Sequence, residues 1–256
     1  MSGGDFCSVL VTGANRGIGL EMVKQLLGRP KPPQWVFATC RDPQGEKAKA
    51  LKTLASNHPS LVILQFESTD EASIQALAKE VTARLAGGGL NLLINNAGVM
   101  PPSTLASVTE EDMMSIYHIN VIGPMLLAKA CLPLLRAAAE KSSRKGLSCS
   151  RAAVINITSI GGSIGNPPSM NMFPVIAYRC SKAALNMLTR CQALEYNCYG
   201  ILCAAIHPGW VKTDLGTNKA ELTVEESVRG ILSVLSGLSE EQNGRVVDWR
   251  GEPVPW

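Results

Sequence analysis

The chain has 256 residues, of which 46% are apolar and 18% charged, a composition that excludes disorder and collagen-like repeats. Its 24 Lys and Arg residues exceed the 21 Asp and Glu residues by three, and the one dense basic stretch, 141–151, is a serine-containing loop. This charge pattern disfavours a nucleic-acid partner. Because a chain of this length buries roughly three quarters of its unfolded surface, we expect one domain over residues 1–256.

Seven short apolar runs alternate with segments that have the i, i+3, i+4 apolar spacing of helices. The predicted strands are Phe6–Thr12, Trp35–Cys40, Leu61–Phe66, Leu90–Asn95, Ala153–Thr158, Ile201–His207 and Val246–Trp249. The predicted helices are Gly17–Leu27, Glu46–Ala55, Glu71–Leu85, Glu110–Ala139, Pro174–Asn197 and Val224–Leu235. Such alternation predicts an α/β fold, a Rossmann-type doubly wound parallel sheet of about seven strands with helices on both faces.

Signals for export, membranes and metals are weak in this chain. The N-terminal apolar run, Val9–Thr12, is too short for a signal peptide or a membrane span, so we expect a cytoplasmic protein without a membrane partner. The eight cysteines contain no Cys-x-x-Cys pair and several lie in apolar segments, which predicts reduced, buried thiols. His58, His118 and His207 are not at ligand spacing, so no metal site is predicted.

A glycine-rich turn, Thr12–Gly19, follows the first predicted strand and leads into a helix. In a doubly wound sheet the ligand binds at the carboxyl ends of the strands, so this turn is well placed to contact one. Glycines there let backbone N–H groups and a helix N-terminus approach a pyrophosphate. The spacing is Gly-x-x-x-Gly-x-Gly, and its position in the first strand-helix unit favours a dinucleotide site over an ordinary turn.

The end of the second predicted strand indicates which dinucleotide is bound. An NAD-binding protein places an acidic residue there to bind the ribose, whereas this chain has Cys40 followed by Arg41. With Arg16 in the glycine-rich turn, two guanidinium groups are available for a 2′-phosphate, which favours NADP(H). Asp42 is a weaker signal for NAD, and both arginines could equally be solvated loop charges.

Tyr178 and Lys182 are four residues apart in a predicted helix, so the phenol and the ammonium group share one face. A free phenol has a pKa of about 10, and we expect the fixed adjacent cation to lower the pKa of Tyr178 and make it a better acid-base catalyst. Such a pair is common on exposed helices. Ser159, which follows the fifth predicted strand, strengthens the hypothesis because its hydroxyl could hold a carbonyl oxygen beside Tyr178.

Together these residues resemble the short-chain dehydrogenase/reductase family over nearly the whole chain. The segments that carry the resemblance are Thr12–Gly19, Asn95-Asn96-Ala97-Gly98, Asn120, Ser159, Tyr178 with Lys182, and Pro208-Gly209-Trp210-Val211-Lys212-Thr213. Within the family, the Pro208 segment and the C-terminal residues 243–256 look most like the C-factor and sniffer-type carbonyl reductases.

The resemblance implies roles for individual residues. Tyr178 would donate a proton to the substrate oxygen, and Lys182 would lower the pKa of Tyr178 and bind the nicotinamide ribose. Ser159 would orient the carbonyl, and Asn120 would maintain a water-linked proton relay through Lys182. The implied cofactor-binding residues are Gly13, Asn15, Arg16, Gly17, Ile18, Gly19, Arg41, Glu67 and Ser68, with Asn95, Ala97 and Gly98 on the adenosine side and Pro208, Gly209, Val211 and Thr213 at the nicotinamide end.

The chain departs from the family pattern at two places. Members usually have Asp then Val after the third strand, whereas this chain has Glu67 and Ser68; the longer carboxylate can still accept a hydrogen bond from the adenine amine. Ser159 and Tyr178 are 19 residues apart, which is more than usual. We expect the extra residues to form a loop over the substrate side, where Met170, Met172 and Phe173 favour an apolar pocket, although a surface loop packed on its own helices is an equal alternative.

These residues predict NADPH-dependent reduction of a small carbonyl compound. A serine-hydrolase elbow, Gly-x-Ser-x-Gly, is excluded because residue 157 is Ile. Two alternatives remain: an NADP(H)-binding redox sensor or signalling protein with little turnover, and an alcohol or steroid dehydrogenase that works in the oxidative direction.

The two longest predicted helices support two further expectations. They carry Met125, Leu126, Leu132, Leu135, Leu185, Met187 and Leu188, which predicts a homodimer unless one subunit buries them all.

Pro124 has no N–H to donate to the Asn120 carbonyl. We expect that carbonyl to face Lys182 through one water and the helix to kink there, although Pro124 could merely mark a break between two shorter helices.

Overall fold

A computed structural model of the protein describes residues 6–169 and 174–256, and within these ranges seven parallel strands form one sheet in the order β3-β2-β1-β4-β5-β6-β7. The strands are β1 (Ser8–Val11), β2 (Trp35–Cys40), β3 (Leu61–Gln65), β4 (Leu92–Asn95), β5 (Ala153–Ile157), β6 (Leu202–His207) and β7 (Val246–Asp248). Each lies inside a predicted apolar run. The doubly wound α/β fold is therefore confirmed.

Helices cover both faces of this sheet. They are α1 (Gly17–Leu27), α2 (Lys49–Asn57), α3 (Glu71–Leu85), α4 (Glu110–Tyr117), α5 (Gly123–Lys141), α6 (Ile176–Tyr196) and α7 (Val224–Gly237). Alternate strand residues point to opposite faces, so Val9 and Val11 pack under α1 and α7, whereas Leu10 packs under α3 and α5. The prediction of a single domain is consistent with this sheet and stays a prediction.

The strand order reverses at β1, which pairs with β2 on one side and β4 on the other. The crossovers on the two sides therefore diverge, and they leave a crevice at the carboxyl ends of β1 and β4. The glycine-rich turn and the segment after β4 border this crevice. The fold thus brings together residues that are more than 80 positions apart in the chain.

The predicted helix Glu110–Ala139 is divided. A π-helical turn, His118–Ile122, joins α4 to α5, and Pro124 lies in the first turn of α5. By length and composition this helical stretch, 110–141, could cross a membrane, but Leu127, Leu134 and Leu135 are buried in the core beside the sheet. The division follows from Pro124, because a proline lacks the N–H that an uninterrupted α-helix would need.

One expectation about side chains needs correction. All eight cysteines lie in the described ranges and are free thiols, but only Cys40, Cys131, Cys149 and Cys203 are buried. Cys7, Cys180, Cys191 and Cys198 are exposed.

Among the apolar residues of the long helices, Leu135 and Leu185 are buried within the subunit, whereas Met125 and Met187 are exposed.

The C-terminal residues fold back along β7 toward the segment that follows β5. Val254 donates a backbone hydrogen bond to Val246, and Pro253 bridges Val247 in antiparallel fashion. The Trp256 carbonyl then accepts a hydrogen bond from the Gly165 N–H.

Candidate active site

A cavity of about 1060 Å³ lies at the carboxyl ends of the strands. Most of the predicted site residues line it. They are Gly13, Asn15, Arg16, Gly17, Ile18, Arg41, Glu67, Ser68, Ala97, Gly98, Ser159, Tyr178, Lys182, Pro208, Gly209, Val211 and Thr213.

Three predicted site residues do not line the cavity. Asn95 is buried within β4, where its side chain donates to Asn156 Oδ1 at 2.8 Å and joins β4 to β5; its contact with adenosine stays a prediction. Gly19 is buried in α1, close to the Gly13 carbonyl. Asn120 is buried in the π-turn between α4 and α5.

The glycine-rich turn is built to leave its backbone uncovered. Gly13 and Gly17 have φ of +63° and +52°, a left-handed conformation that other L-residues adopt at a cost. Thr12 Oγ1 holds the turn against the segment after β4, because it accepts the N–H groups of Asn96 and Ala97, both at 3.0 Å. The positive end of α1 then points into the cavity, which fits a pyrophosphate.

Sequence reasoning did not assign roles to Thr12 and Asn96, although both lie inside quoted motifs. Asn96 Nδ2 donates to the carbonyls of Thr12 and Gly13, at 2.9 and 3.2 Å. These bonds fix the distance between the two chain segments that flank the crevice. A motif shows such residue types, but only the fold shows which backbone atoms they hold.

Cations gather at the end of the cavity beyond β2. Arg41 is exposed and lines the cavity, and Lys47 adds a cation that the sequence reasoning missed. Asp42 is engaged elsewhere, because its Oδ1 accepts the N–H groups of Gln44 and Gly45 at 3.0 and 2.9 Å. Asp42 Oδ1 thus accepts the hydrogen bonds of an Asx turn, so this oxygen is not available to a ribose hydroxyl.

Arg16 also lines this cavity, but its guanidinium forms an ion pair with Asp214. Asp214 belongs to the segment after β6, so the pair spans the cavity. Both side chains are more than half exposed, at 52% and 74%. A contact of this kind is weak and leaves Arg16 available for a phosphate.

Glu67 lines the cavity beside Ser68, but its carboxylate is held by its neighbour Thr69. Glu67 Oε1 accepts the Thr69 backbone N–H at 3.3 Å and the Thr69 hydroxyl at 3.2 Å. These two hydrogen bonds therefore fix the orientation of the Glu67 carboxylate at this end of the cavity. The expected contact with an adenine amine stays a prediction.

Ser159, Tyr178 and Lys182 meet at the carboxyl end of β5. Ser159 Oγ accepts the Gly161 N–H at 3.0 Å and lies near enough to the Tyr178 phenol to act on its pKa. Lys182 is buried, with its Nζ 5.6 Å from the centre of the Tyr178 ring, and it donates to the Ile157 carbonyl at 2.7 Å. The cluster therefore has the composition and proximity that its predicted chemistry needs.

The expected lowering of the pKa of Tyr178 is wrong for this structure. Burial raises the pKa of Tyr178 to about 12, and the hydrogen bond with Ser159 offsets only part of that effect. Burial also lowers the pKa of Lys182 to about 8, since the ammonium group is removed from water. Tyr178 is thus held as a neutral phenol at neutral pH, the form that can donate a proton.

Asn120 reaches the cluster through α6. Its Nδ2 donates to Ser181 Oγ at 3.0 Å, and the Ser181 hydroxyl donates to the Tyr178 carbonyl at 2.7 Å. Its Oδ1 accepts the Val99 N–H at 3.0 Å. The Asn120 side chain therefore holds Val99 and α6 in position. The proposed contact of the Asn120 carbonyl with Lys182 through a water stays a prediction.

The loop between Ser159 and Tyr178 is attached to the cluster by Arg179. Arg179 Nη1 donates to the Pro168 carbonyl at 2.7 Å, and its Nη2 donates to the Ser169 carbonyl at 3.1 Å. Pro168 lines the cavity, so this loop borders the site as expected. Met170, Met172 and Phe173, which were predicted to make the pocket apolar, lie outside the described residues.

A doubly wound sheet with a phosphate-binding turn and a Ser, Tyr and Lys cluster at its carboxyl edge defines a dinucleotide-dependent oxidoreductase. A family model described as short chain dehydrogenase matches residues 8–223. The chain therefore belongs to the short chain dehydrogenase family, as the sequence motifs predicted.

Two solved structures are similar over almost all of the chain. An NADPH-bound carbonyl reductase from chicken fatty liver is 54% identical, covers 98% of this chain and 94% of its own, and superposes with a TM-score of 0.96. The carbonyl reductase Sniffer of D. melanogaster is 41% identical, covers 98% and 100%, and has a TM-score of 0.93. Among curated relatives, the C-signal of Myxococcus xanthus is 38% identical over 66% of this chain and 94% of its own length.

Proposed function

We propose that the protein reduces a carbonyl compound, an aldehyde, ketone or quinone, to the alcohol with NADPH as its cofactor. One observation carries the proposal: Ser159, Tyr178 and Lys182 line the same cavity as the glycine-rich turn, with Lys182 Nζ 5.6 Å from the centre of the Tyr178 ring. Carbonyl reduction requires a proton donor at that place, and the Tyr178 phenol can serve as one. The similarity to an NADPH-bound carbonyl reductase and to Sniffer supports the same direction.

The cavity fits the cofactor on structural grounds. Its uncovered glycine turn and the α1 N-terminus suit the pyrophosphate, and Arg16, Arg41 and Lys47 suit a 2′-phosphate. Bound NADPH would supply the hydride that reaches the carbonyl carbon. Lys182, which is buried beside Tyr178, would hold a ribose hydroxyl by its ammonium group.

The chain's own residues would act on the carbonyl oxygen. The Ser159 hydroxyl would hold that oxygen, and the Tyr178 hydroxyl would transfer its proton to it as the carbon is reduced. Met100, Ile119, Ile160 and Val175 also line the cavity and would exclude water from the substrate.

The test is to follow NADPH absorbance with the protein and a panel of quinones, aldehydes, diketones and ketosteroids. We expect oxidation of NADPH with one or more of these classes, and a loss of about hundredfold or more in Tyr178→Phe. Stoichiometric NADPH binding without oxidation across the panel would instead indicate a redox sensor. Faster NADP⁺-dependent oxidation of the matching alcohols would reverse the proposed direction.

We also propose a homodimer that joins the α4 to α6 faces of two subunits. Met114, Tyr117 and Met125 are exposed on α4 and α5, and Met187 and Leu194 are 62% and 67% exposed on α6. A second copy would cover apolar residues that this subunit leaves in water. Light scattering at micromolar concentration tests it: a dimer mass is expected, reduced to a monomer mass by Met187→Glu, whereas a monomer mass for the parent protein contradicts the proposal.

A further inference from the structure

Part of the buried face of α6 is polar, although a helix that covers a parallel sheet usually presents aliphatic residues there. Next to Lys182 it buries Asn186, Thr189 and Gln192. These residues are three or four positions apart, so they share one face of the helix. Burial of such groups costs free energy unless each finds a hydrogen-bond partner.

Their partners are one side chain on β5, Asn156, and one directly after it, Thr158. Thr158 Oγ1 donates to Asn186 Oδ1 at 2.6 Å. Asn156 Nδ2 donates to Thr189 Oγ1 at 2.8 Å and to Gln192 Oε1 at 3.0 Å. We call these five side chains the α6 seam.

The α6 seam connects the two elements that carry the catalytic hydroxyl groups. Ser159 follows Thr158 directly at the end of β5, and Tyr178 lies on α6 one turn before Lys182. Hydrogen bonds weaken steeply with distance and angle, whereas apolar contacts tolerate small shifts. A displacement of α6 along β5 would therefore break the α6 seam, and it would also move Tyr178 away from Ser159.

An apolar set of side chains at the position of the α6 seam would make the fold at least as stable. Within the described residues, Gln192 Nε2 is buried without a hydrogen-bond partner, and an unsatisfied buried donor is destabilising. Apolar side chains of similar shape often stabilise a core as well as a buried polar pair does. Stability alone therefore does not account for five polar side chains at this place.

We propose that the α6 seam fixes the position of α6 along β5 and thereby sets the distance between the Tyr178 and Ser159 hydroxyl groups. This inference rests on the proposed reduction, in which both groups act on the same oxygen. Thr189 is a positioning residue in this scheme. It lies 11 residues after Tyr178, about 16 Å along the helix, so it cannot touch the reacting atoms.

The test compares Thr189→Val, which keeps the shape but removes the hydroxyl, with Thr189→Ser, which keeps the hydroxyl. We expect kcat for carbonyl reduction to fall about tenfold in the Val variant and to be restored in the Ser variant, because small misplacements of reacting groups are costly. The Kd of NADPH, measured by fluorescence titration, should stay within about twofold in both. An unchanged kcat in Thr189→Val overturns the proposal.

A double-mutant cycle separates positioning from general destabilisation. In a Tyr178→Phe background, Thr189→Val should cause no further loss, because the group that it positions is already absent. An additional tenfold loss would overturn the proposal. The double variant Thr158→Val/Asn186→Leu removes both partners of one bond and provides a second folded test if Thr189→Val is unstable.

Crystal structures give a readout independent of turnover. The Thr189→Val structure should show α6 displaced along β5 and the Tyr178 and Ser159 hydroxyl groups further apart, whereas Thr189→Ser should superpose on the parent. If the parent protein reduces no carbonyl, the proposed function fails, yet this comparison still tests the positioning. An undisplaced α6 in the Val variant overturns it.

Discussion

At the scale of single residues, burial decides the protonation of the catalytic cluster. Tyr178 stays a phenol because its pKa is raised to about 12, and Lys182 loses its charge readily because its pKa is lowered to about 8. Sequence spacing placed the two groups on one helix face correctly. It could not give their pKa values, because these depend on how completely β5 and α6 exclude water from the pair.

The first prediction concerns this pair. The kcat/KM for NADPH reports the free enzyme, so it should fall above about pH 8 as Lys182 loses the proton that holds the ribose. Tyr178 should cause no loss in the same range, because its pKa is about 12. In Lys182→Arg the residual activity should lack this alkaline fall, since a guanidinium stays charged. A fall at the same pH in the Arg variant would contradict the assignment.

A second prediction at this scale concerns cofactor choice. NADPH should bind much more tightly than NADH, and Arg41→Asp should remove most of the preference, because each charge-assisted phosphate contact contributes about 1.5 to 3 kcal/mol. Dissociation constants for both cofactors measure this. Arg84→Asp is the control and should leave the ratio unchanged, because Arg84 is an exposed arginine on α3 that does not line the cavity. Equal constants in the parent protein would refute the role of Arg41.

At the scale of elements, the strands and most helices were predictable, since periodicity reports which residues face the core. The helix α1 and the strand β2 have the bounds that the apolar pattern gave. The division between α4 and α5 was visible only as Pro124, and the pattern could not distinguish a kink from a break. The hydrogen bonds from Arg179 to its loop were not predictable, because they join a side chain to backbone carbonyls.

The π-turn gives the third prediction. Pro124→Ala supplies an N–H that can bond the Asn120 carbonyl and close the helix, so kcat should fall several-fold with little change in NADPH affinity. Pro133→Ala, in the same helix but away from the cavity, is the matched control and should leave kcat unchanged. Steady-state kinetics and cofactor titration check this. Equal effects of the two variants would remove any special role of Pro124.

The Arg179 attachment gives the fourth prediction. Arg179→Gln releases the Pro168 and Ser169 carbonyls, so KM for the carbonyl substrate should rise several-fold while NADPH affinity is kept. Limited proteolysis should cut the 160–175 loop faster in this variant. Arg190→Gln changes an exposed arginine on the same helix and is the control. Unchanged KM and cleavage would show that the loop is held by other contacts.

At the scale of the whole molecule, most of the predicted site residues line the cavity because the carboxyl ends of parallel strands converge. The pattern did not show which predicted residues turn their side chains into the protein. Asn95 and Asn120 are examples, since each side chain forms hydrogen bonds between elements, and their roles toward the cofactor and the proton relay stay predictions. A motif predicts which residues lie near a site, whereas the direction in which each side chain points depends on how the strand and the helix pack together.

The fifth prediction concerns stability and pH. Burial lowers the pKa of His207 to about 4, despite the opposing charge of Asp248. The unfolded chain, with a His pKa near 6.5, then binds a proton more readily than the native protein between about pH 6.5 and 4, so the free energy of unfolding should fall as pH drops through that window. Urea titrations should show His207→Gln losing up to about 3 kcal/mol less than the parent over this range. If the free energy of unfolding depended on pH in the same way for the parent and for His207→Gln, the assignment of this effect to His207 would be wrong.

The hydrogen bond between Gly165 and Trp256 affects how the protein should be prepared for these experiments. Any affinity tag fused after Trp256 would begin beside the loop that borders the cavity, and it could alter kinetic constants without touching a catalytic group. A tag at the other end would precede β1, whose carboxyl end carries the glycine-rich turn while its beginning lies at the opposite edge of the sheet. Kinetic constants should therefore be measured on protein without a tag after Trp256.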